Sequence, residues 1–368
     1  MAARTVTGRK VRYGVVGGGW ISQQAFMPGV GQTDNSEMTA LITGDPEKAD
    51  RLAKRYGLKS FSYDQFAECL ASDAVDALYV ATPNFRHTEF VVPALEAGVH
   101  VLLEKPMATS EADCRLMIEA AERSGARLMI AYRLHFEPAT VEAFTRIRSG
   151  EFGAPRIFSS TFGQYIKASN HRASSGYWAG PVADLGPYPI NAARHFFGKE
   201  PIEVRAIGAR TRDLGFDDIV QVALKFGPGE IAQFTLDYSG PAYNDYRLIG
   251  TKGDIHMQPG YAFGAASGLG YTATLGGDIR RHNHPITDQF GGETAYFSSC
   301  IIEGRDPEPD GEDGMLDVRV IAAIERALST GETQSLEPLA RRKHIQADQA
   351  YTLPLAPMPD MINGEPPA

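Results

Sequence analysis

The chain has few cysteines, few tryptophans and no long apolar run. Among 368 residues there are three cysteines and two tryptophans, although 43% of the residues are hydrophobic. Cys69, Cys114 and Cys300 are widely separated, and each lies in a segment that reads as a helix. This spacing argues against a disulfide framework and a zinc cluster, and a reducing compartment is the default expectation.

The sequence also lacks the features of a membrane or exported protein. No stretch approaches the roughly 18 apolar residues of a transmembrane helix. The basic N-terminus, Met1 to Lys10, is not followed by an apolar segment with a small-residue cleavage site. We therefore expect a soluble cytoplasmic protein.

Positive charge is in deficit. The chain has 36 lysines and arginines against 45 aspartates and glutamates, which gives a formal net charge of −9. Such a balance argues against a nucleic-acid or anionic-membrane partner and favours a small molecule. A chain of this length exceeds one ordinary core, so we expect two domains.

Residues 10–133 alternate between short apolar runs and helical patterns. Parallel strands buried on both faces read as continuous apolar runs, and crossover helices lie between them. We predict an α/β, doubly wound domain of the Rossmann type over residues 1–133. The predicted strands are Val11 to Val16, Met38 to Thr43, Ala77 to Ala81, His100 to Leu103 and Leu128 to Tyr132, and the predicted crossover helices include Pro46 to Tyr56 and Ser110 to Ser124.

The pattern changes after residue 133. Longer alternating stretches follow a predicted helix, Pro138 to Ser149, and Gly227-Pro228-Gly229 joins two of them as a hairpin. The stretches are Arg156 to Ile166, Ile202 to Arg210, Ile219 to Phe226, Ile231 to Tyr238 and Tyr246 to Met257. Two helical segments, Asp288 to Glu303 and Asp313 to Ser329, close the domain. We predict an α+β domain with a largely antiparallel sheet over residues 134–345, followed by an extended tail over residues 346–368.

A glycine-rich segment follows the first predicted strand. Gly17-Gly18-Gly19-Trp20-Ile21-Ser22 places glycines at the tight turn and where the backbone would approach a pyrophosphate, and a helix begins directly after. The segment predicts dinucleotide binding at Gly17, Gly19, Trp20 and Ile21, with an ordinary glycine-rich turn as the alternative. Ser22 replaces the usual third glycine, so we expect slightly looser packing of helix and strand.

The tip of the second predicted strand indicates which dinucleotide binds. An acid at this tip normally holds the adenosine ribose, but here Thr43 is followed by Gly44 and Asp45. An uncharged tip leaves room for a 2′-phosphate, which Lys48 is placed to pair with, whereas Asp45 would repel the phosphate or bind a 2′-hydroxyl. The pattern favours NADP over NAD, and a solvated Lys48 remains the alternative.

Two further strand ends carry candidate cofactor residues. Thr82-Pro83-Asn84, with His87 at a helix start, is expected to line the nicotinamide ribose side, or else to form a plain capped turn. Glu104-Lys105-Pro106 follows the next apolar run. Ligands of open α/β sheets bind outside the carboxyl ends of the strands, so the Lys105 ammonium is placed for chemistry, with a solvated lysine at a strand end as the alternative.

A second-domain motif supplies candidate chemical groups. Asp184 and Tyr188 lie near the start of an amphipathic helix. A tyrosine beside an ammonium can accept the proton as hydride leaves a sugar carbon, and a carboxylate can orient the lysine or hold the substrate. The alternatives are a helix cap for Asp184 and an aromatic with its hydroxyl tied to backbone for Tyr188. The histidines show no metal-like spacing, so no metal site is expected.

These residues resemble the glucose-fructose oxidoreductase, inositol dehydrogenase and rhizopine-catabolism (Gfo/Idh/MocA) family. The resemblance covers nearly the whole chain and rests on the nucleotide loop and on four segments. Tyrosine at position 188, where most members have histidine, resembles the glucose-fructose and aldose-aldose oxidoreductase branch. The four segments are 104–110, 131–138, 184–191 and 311–319.

The resemblance implies a six-stranded parallel sheet, an open and mainly antiparallel second sheet, and a homodimer or homotetramer formed through the open sheet. It implies that Lys105 polarises the substrate hydroxyl, Tyr188 acts as acid/base and Asp184 supports them. Arg133 is expected near the nicotinamide or sugar, and Glu104 belongs to the cofactor motif. The branch also implies tightly bound NADP that passes hydride between the anomeric carbons of two aldoses.

The chain departs from the family pattern in three places. Tyr177-Trp178-Ala179-Gly180-Pro181 replaces a glycine-rich segment, so Tyr177 and Trp178 become candidate substrate contacts. We expect no counterpart of the exporting branch's N-terminal signal and arm, and the tail beyond Ala340 is longer than the resemblance implies. The alternatives are a pentose or diol dehydrogenase that exchanges NADP freely and, from another class, a nucleotide- or sugar-sensing regulator.

Overall fold

The chain folds into two compact units that interleave along the sequence. The structure, a computed structural model, describes residues 1–265, 268–337, 339–340 and 343–366. The first unit comprises residues 1–137, 287–315 and 351–366, and the second comprises the remaining described residues. The ranges predicted from sequence were contiguous, and seven of their positions, 266–267, 338, 341–342 and 367–368, lie outside the described residues.

The helices and strands are numbered along the chain. The strands are β1 (Val11–Val16), β2 (Ser36–Ile42), β3 (Lys59–Phe61), β4 (Ala77–Val80), β5 (His100–Leu103), β6 (Leu128–Ile130), β7 (Pro155–Gly163), β8 (Glu203–Ala209), β9 (Ile219–Gly227), β10 (Glu230–Asp237), β11 (Tyr243–Gly250), β12 (Gly253–Met257), β13 (Gly270–Leu275), β14 (Asp278–Asn283) and β15 (Gln334–Ser335). The helices are α1 (Met27–Val30), α2 (Pro46–Tyr56), α3 (Phe66–Ala71), α4 (His87–Glu96), α5 (Glu111–Ser124), α6 (Pro138–Arg148), α7 (Pro181–Asp184), α8 (Pro187–Phe197), α9 (Gln289–Glu303) and α10 (Gly311–Thr330).

The first unit contains a parallel sheet of the predicted Rossmann type. In its described residues the sheet has six strands in the order β3-β2-β1-β4-β5-β6. The apolar runs predicted for β1 and β5 are strands over the same residues, because such runs are buried on both faces. Asp45 begins α2 by accepting hydrogen bonds from the backbone N–H groups of Glu47 and Lys48, and Gly57 in the left-handed conformation (φ 69°) ends it.

The first unit also takes in chain from far beyond the predicted Rossmann range. Helix α9 packs against β1, β2 and β5, and its residues Tyr296 and Phe297 belong to the same buried cluster as Val15. Ile362, from the C-terminal part of the chain, is buried in this cluster as well. The parallel sheet therefore has its apolar face completed by late segments of the sequence.

The second unit is built on the predicted, mainly antiparallel sheet. Nine strands pair in the order β14-β13-β12-β11-β7-β10-β9-β8-β15 within the described residues, and only the β7–β10 pair is parallel. The hairpin predicted at Gly227-Pro228-Gly229 joins β9 and β10. The fold class predicted from the sequence, an α/β Rossmann domain with an α+β partner, is confirmed.

Several strand boundaries differ from the prediction. The single stretch predicted over Tyr246 to Met257 is two strands, β11 and β12, that reverse at Thr251 and Lys252. Strands β13 and β14 were not predicted. β14 is largely exposed and carries polar residues in its sequence Asp278–Asn283, so it lacks the alternation by which a half-buried strand is recognised.

The structure also bears on the expectations for the cysteines and for membrane-spanning helices. All three cysteines are unpaired by disulfide and buried, and burial raises the pKa of the Cys114 thiol to about 12. Among the described residues, no helix combines the length and hydropathy required to cross a bilayer.

The buried His100 makes the stability of the first unit depend on pH. Its Nδ1 accepts the backbone N–H of Arg127 at 2.9 Å, and its Nε2 lies 2.9 Å from the Arg4 carbonyl oxygen. This arrangement fixes a neutral imidazole that donates from Nε2. Burial lowers the pKa of His100 below its ordinary value of 6.5, so the unfolded chain takes up the proton more readily.

We therefore predict that His100 lowers the free energy of unfolding as the pH falls below about 6.5, because there the unfolded chain is protonated at this residue more readily than the folded chain. The His100→Gln variant should lose less unfolding free energy than the wild type between pH 7.5 and 5.5. Denaturant unfolding at both pH values measures the difference, and the other buried histidines are common to both proteins. Equal pH dependence in the two proteins would show that His100 does not contribute.

Candidate active site

The carboxyl ends of the parallel strands meet at one edge of the first unit's sheet. Gly17 follows β1, Thr43 follows β2, the Thr82-Pro83-Asn84 segment follows β4, and Glu104 and Lys105 follow β5. The predicted cofactor residues therefore share the edge at which open α/β sheets bind ligands. The candidate residues of the second unit form a separate group.

The glycine-rich loop after β1 is a tight turn. Gly17 has a φ of 94°, a conformation in which a side chain would be strained, and a Cβ there would lie 2.9 Å from the Ala81 carbonyl oxygen. The Ser22 hydroxyl donates a 2.6 Å hydrogen bond to the Gly17 carbonyl oxygen. The serine that replaces the usual third glycine is thus used to join the loop to its helix.

The space around the loop fits a dinucleotide. Among the described residues, no heavy atom lies within 4 Å of the position that a Cβ on Gly19 would take. Thr82, at the end of the neighbouring strand β4, has a buried hydroxyl without a hydrogen-bond partner in the described part of the chain. An open backbone at the helix start and a polar atom left for a ligand are the features that a bound pyrophosphate and ribose require. Trp20 and Ile21, half-buried, follow Gly19 at the beginning of this helix.

The tip of β2 is uncharged, as predicted, and the neighbouring Asp45 already accepts hydrogen bonds from the backbone of α2. Thr43 is buried, and a Cβ on Gly44 would lie 2.9 Å from the Tyr63 ring. Asp45 caps α2 through Oδ1. The Lys48 side chain runs beside the loop, with its Cδ 3.5 Å from the position of a Cβ on Gly18 and its Nζ 3.9 Å from Asp45 Oδ2.

His87 connects two of the strand ends from a buried position. Its Nε2 lies 2.9 Å from the Thr82 carbonyl oxygen and its Nδ1 lies 3.0 Å from that of Met107. Burial lowers the pKa of His87, so the ring is neutral and donates to one of these carbonyls. His87 is therefore buried, and it holds the backbone at Thr82 and Met107 through its ring nitrogens. It stays a predicted part of the segment that lines the nicotinamide ribose.

Lys105 follows β5 next to the half-buried carboxyl of Glu104. The Tyr79 hydroxyl donates to Glu104 Oε1 at 2.6 Å, and the Lys105 backbone N–H donates to Glu104 Oε2 at 3.2 Å. Burial raises the pKa of Glu104, while the Lys105 charge opposes this rise. The Tyr79 ring stacks on Phe26, with 3.8 Å between the ring centroids. Tyr79 thereby ties Glu104 to the helix that follows the nucleotide loop.

Arg133 is buried near the same group of charges. It donates from Nη1 to the Gln289 side-chain oxygen on α9. Glu293, one turn later on α9, is fully buried, and neither carboxyl oxygen has a hydrogen-bond partner in the described residues. Burial raises the pKa of Glu293 well above its ordinary value, and the nearby Glu104 adds to the rise while Arg133 opposes it.

In the second unit, Asp184 is held by two neighbours. Its Oδ2 accepts a 2.8 Å hydrogen bond from the Tyr238 hydroxyl and lies 3.1 Å from Arg172 Nε. Burial raises the pKa of Tyr238 well above its ordinary value, and the Asp184 charge adds to this effect. Asp184 ends the short helix α7. It does not act as the helix-entry cap that was the alternative interpretation.

Tyr188 lies in the first turn of α8 and is half-buried. Its ring packs edge-on against Phe162 and at a tilt against Tyr261, with centroid distances of 5.4 and 5.5 Å. Tyr177 uses its hydroxyl to donate to the Ile321 carbonyl oxygen at 2.8 Å. Among the contacts of Trp178 is a hydrogen bond to Glu325. The polar groups of Tyr177 and Trp178, the predicted substrate contacts, thus already form hydrogen bonds within the second unit.

Sequence reasoning missed three of these neighbours in the first unit. Tyr79 is hidden inside an apolar strand, and Gln289 and Glu293 lie on a helix assigned to the other domain. A glutamate and a glutamine one turn apart on an otherwise buried helix were the available signal, because acids are almost never fully buried unless paired.

Comparison with known families supports this description of two halves. The family model "Oxidoreductase family, NAD-binding Rossmann fold" matches residues 11–132, and the "GFO/IDH/MocA C-terminal domain" matches residues 140–256. Together the two matches cover more than half of the chain.

The chain belongs to the GFO/IDH/MocA oxidoreductase family. The family predicted from the Glu-Lys-Pro motif and the nucleotide loop is confirmed.

Individual family members are similar over almost the whole length. The D-xylose 1-dehydrogenase [NADP(+)] of Haloarcula marismortui is 29% identical over 354 residues, which cover 91% of this chain and 95% of that protein. The crystal structure of an aldose-aldose oxidoreductase from Caulobacter crescentus, complexed with glycerol, has a TM-score of 0.84 and 35% identity and covers 89% of this chain and 100% of that one. A 3-ketoreductase from Actinomadura kijaniata, in complex with NADP and TDP-benzene, has a TM-score of 0.80 and 25% identity, with coverages of 87% and 98%.

The open space at Gly19 provides a direct test of nucleotide binding in this family member. Gly19→Leu places a side chain where the backbone would approach the pyrophosphate, so we expect the affinity for NADPH to fall by about tenfold or more. Because this space is free in the protein itself, the thermal unfolding midpoint should change little. Fluorescence titration with NADPH measures the affinity, and Gly229→Ala, in the β9–β10 hairpin and like Gly19 outside the left-handed region, is a control for glycine replacement. An unchanged affinity would place the nucleotide elsewhere.

Proposed function

We propose that this protein is an NADP-dependent sugar oxidoreductase that transfers hydride between the anomeric carbon of an aldose and the nicotinamide. The observation that carries the proposal is Lys105, at the carboxyl edge of a parallel sheet whose β1 loop fits a dinucleotide. The names of the D-xylose dehydrogenase and the aldose-aldose oxidoreductase relatives support an aldose as the substrate.

NADP is the proposed cofactor, with NAD second. The β2 tip carries no acid, and the Lys48 side chain lies beside the loop, where its charge suits a 2′-phosphate. The relatives named for NADP support this choice. We propose contacts from Gly17, Gly19 and Thr82 to the dinucleotide, and from Arg133 to the nicotinamide or sugar.

The bound nicotinamide would accept hydride from the anomeric carbon. We propose that the Lys105 ammonium donates a hydrogen bond to the anomeric hydroxyl oxygen, which stabilises the negative charge that develops there as the C–H bond breaks. The Tyr188 oxygen takes the hydroxyl proton, and an aldose becomes its lactone. We propose that Asp184, whose Oδ2 is held by Arg172 and Tyr238, supports Tyr188 as a positioning residue.

We propose that the nicotinamide stays bound while one aldose is oxidised and a second is reduced. The similarity to an aldose-aldose oxidoreductase supports this version. A specific observation favours the alternative, a dehydrogenase that exchanges NADP in every cycle, because relatives also include the D-xylose dehydrogenase and a bovine trans-1,2-dihydrobenzene-1,2-diol dehydrogenase at 30% identity.

We also propose that the protein is a homodimer or homotetramer that associates through the outer face of the second unit's sheet. Ile157 and Ile231 are paired on neighbouring strands and are 42% and 52% exposed, and Ile207 is 73% exposed. Large apolar side chains grouped on one sheet face are typical of an interface with another protein.

Removal of the two proposed catalytic groups provides the first test. Lys105→Ala and Tyr188→Phe should each lower aldose oxidation by about a hundredfold or more, because each removes a group that acts on the reacting hydroxyl. Binding of NADPH, followed by fluorescence, should persist in both variants. Lys54→Ala and Tyr165→Phe, at exposed positions outside the proposed site, are matched controls. Near-normal turnover would remove the substituted residue from the mechanism.

The absorbance of the purified protein separates the cofactor cycles. If the nicotinamide is retained, absorbance at the reduced-nicotinamide band should survive desalting, rise with one aldose and fall with a second. Mass spectrometry of the released cofactor identifies NADP or NAD. A cofactor-free protein that is active only with added NADP would support the exchanging dehydrogenase. Bound nucleotide with no turnover over a broad sugar panel would instead support a sensor.

A further inference from the structure

Residues 351–366, called the C-terminal segment below, belong to the first unit and run over its nucleotide-binding side. The segment is anchored at its start, where the Tyr351 N–H donates to the Phe136 carbonyl oxygen at 2.9 Å. Leu353 pairs with Thr287 and Asp288 at the start of α9. The segment lies within the extended tail predicted over residues 346–368, and none of its residues takes part in the proposed reaction.

The middle of the C-terminal segment is joined to the nucleotide loop through one side chain. Ile362 is 1% exposed, and its backbone N–H and carbonyl both bond to the Gln23 side chain at 2.8 Å. The Gln23 amide also donates to the Gly18 carbonyl oxygen at 2.9 Å. Gln23 is itself fully buried, so these bonds form in a low-dielectric environment where they fix position well.

The next residue reaches the tip of β2. Asn363 Nδ2 donates to Asp45 Oδ2 at 3.1 Å and to Glu47 Oε2 at 2.9 Å. Asn363 has a φ of 46°, which asparagine tolerates better than most residues. Arg55 holds the same stretch from the other end of α2, by donating to the Asp360 carbonyl oxygen at 2.7 Å.

Asn363 therefore occupies the acceptor that a ribose would use. An acid near the β2 tip accepts the 2′-hydroxyl of NAD, and Asp45 is the acid available here. Its Oδ1 caps α2, and its Oδ2 accepts from Asn363 and lies 3.9 Å from Lys48 Nζ, so a ribose hydroxyl would have to share or displace a donor that is already present. Lys48 remains beside the loop to meet a phosphate.

We propose that Asn363 is a cofactor-selecting residue that favours NADP over NAD by keeping the Asp45 carboxylate engaged, and that the Ile362–Gln23 contact positions it. The inference deepens the proposed function and rests on NADP binding at this edge. Asn363 acts through Asp45 as a positioning residue. In support, the Asn363 amide is the main cause that lowers the pKa values of Asp45 and Glu47.

The test is the ratio of NADPH to NADH affinity in the full-length protein. Asn363→Gly removes the amide and retains the left-handed backbone, so the ratio should fall by about threefold to tenfold as Asp45 becomes free to accept a 2′-hydroxyl and less favourable to a phosphate. Fluorescence titration measures both affinities, and displacement of bound NADPH by NADH replaces it where the cofactor copurifies. Pro366→Gly, in the same segment, is the control for added backbone freedom.

A double substitution distinguishes an effect of Asn363 through Asp45 from a general effect of attaching the C-terminal segment to the first unit. Asp45→Asn retains a capping oxygen for α2 and removes the charge, so Asn363→Gly made in that background should change the ratio by less than about twofold. An unchanged ratio in Asn363→Gly alone, or an equal loss of both affinities, overturns the inference while the proposed function stands. A wild-type protein that binds neither nucleotide overturns both.

Discussion

The structure depends on the requirement that every backbone group of a sheet buried on both faces find its partner in a neighbouring strand. Parallel pairing meets this requirement only if the chain returns through a crossover after each strand, so all the strands end at one edge. Gly17, Thr43, Thr82 and Lys105 share that edge for this reason, although they are far apart in sequence. Their grouping follows from the pairing and needs no contact among their side chains.

Burial and the neighbouring positive charges act in opposite directions on the carboxyl groups near Lys105. Burial raises the pKa values of both Glu104 and Glu293, and repulsion by the Glu104 charge adds to the rise at Glu293. Arg133 and Lys105 oppose that repulsion with positive charge. Lys105 therefore lies beside carboxyl groups whose ionised forms are disfavoured by burial and favoured by the neighbouring positive charges.

The parts of the fold that depend on local signals were predictable. β1, β5 and α2 were predicted at their observed bounds, because continuous apolar runs mark buried strands and Asp45-Pro46 marks a helix start. The parts that depend on distant residues were not predictable. Nothing in the local sequence of Ile362 shows that Gln23 will bind its backbone, and the sequence around α9 does not reveal that this helix covers the parallel sheet. Strand β14 was missed because an exposed edge strand carries no hydrophobic alternation.

The interleaved first unit bears on how the chain folds during synthesis. Its buried cluster joins Tyr13 and Phe26 with Tyr296 and with Ile362, which are translated long after the last strand of the parallel sheet. A nascent chain that ends at Glu137 therefore contains every strand of the parallel sheet but must leave part of its apolar surface uncovered until the rest of the protein has been translated. Such a chain would need protection from aggregation until these later segments have been translated, and its nucleotide-binding half would mature only then.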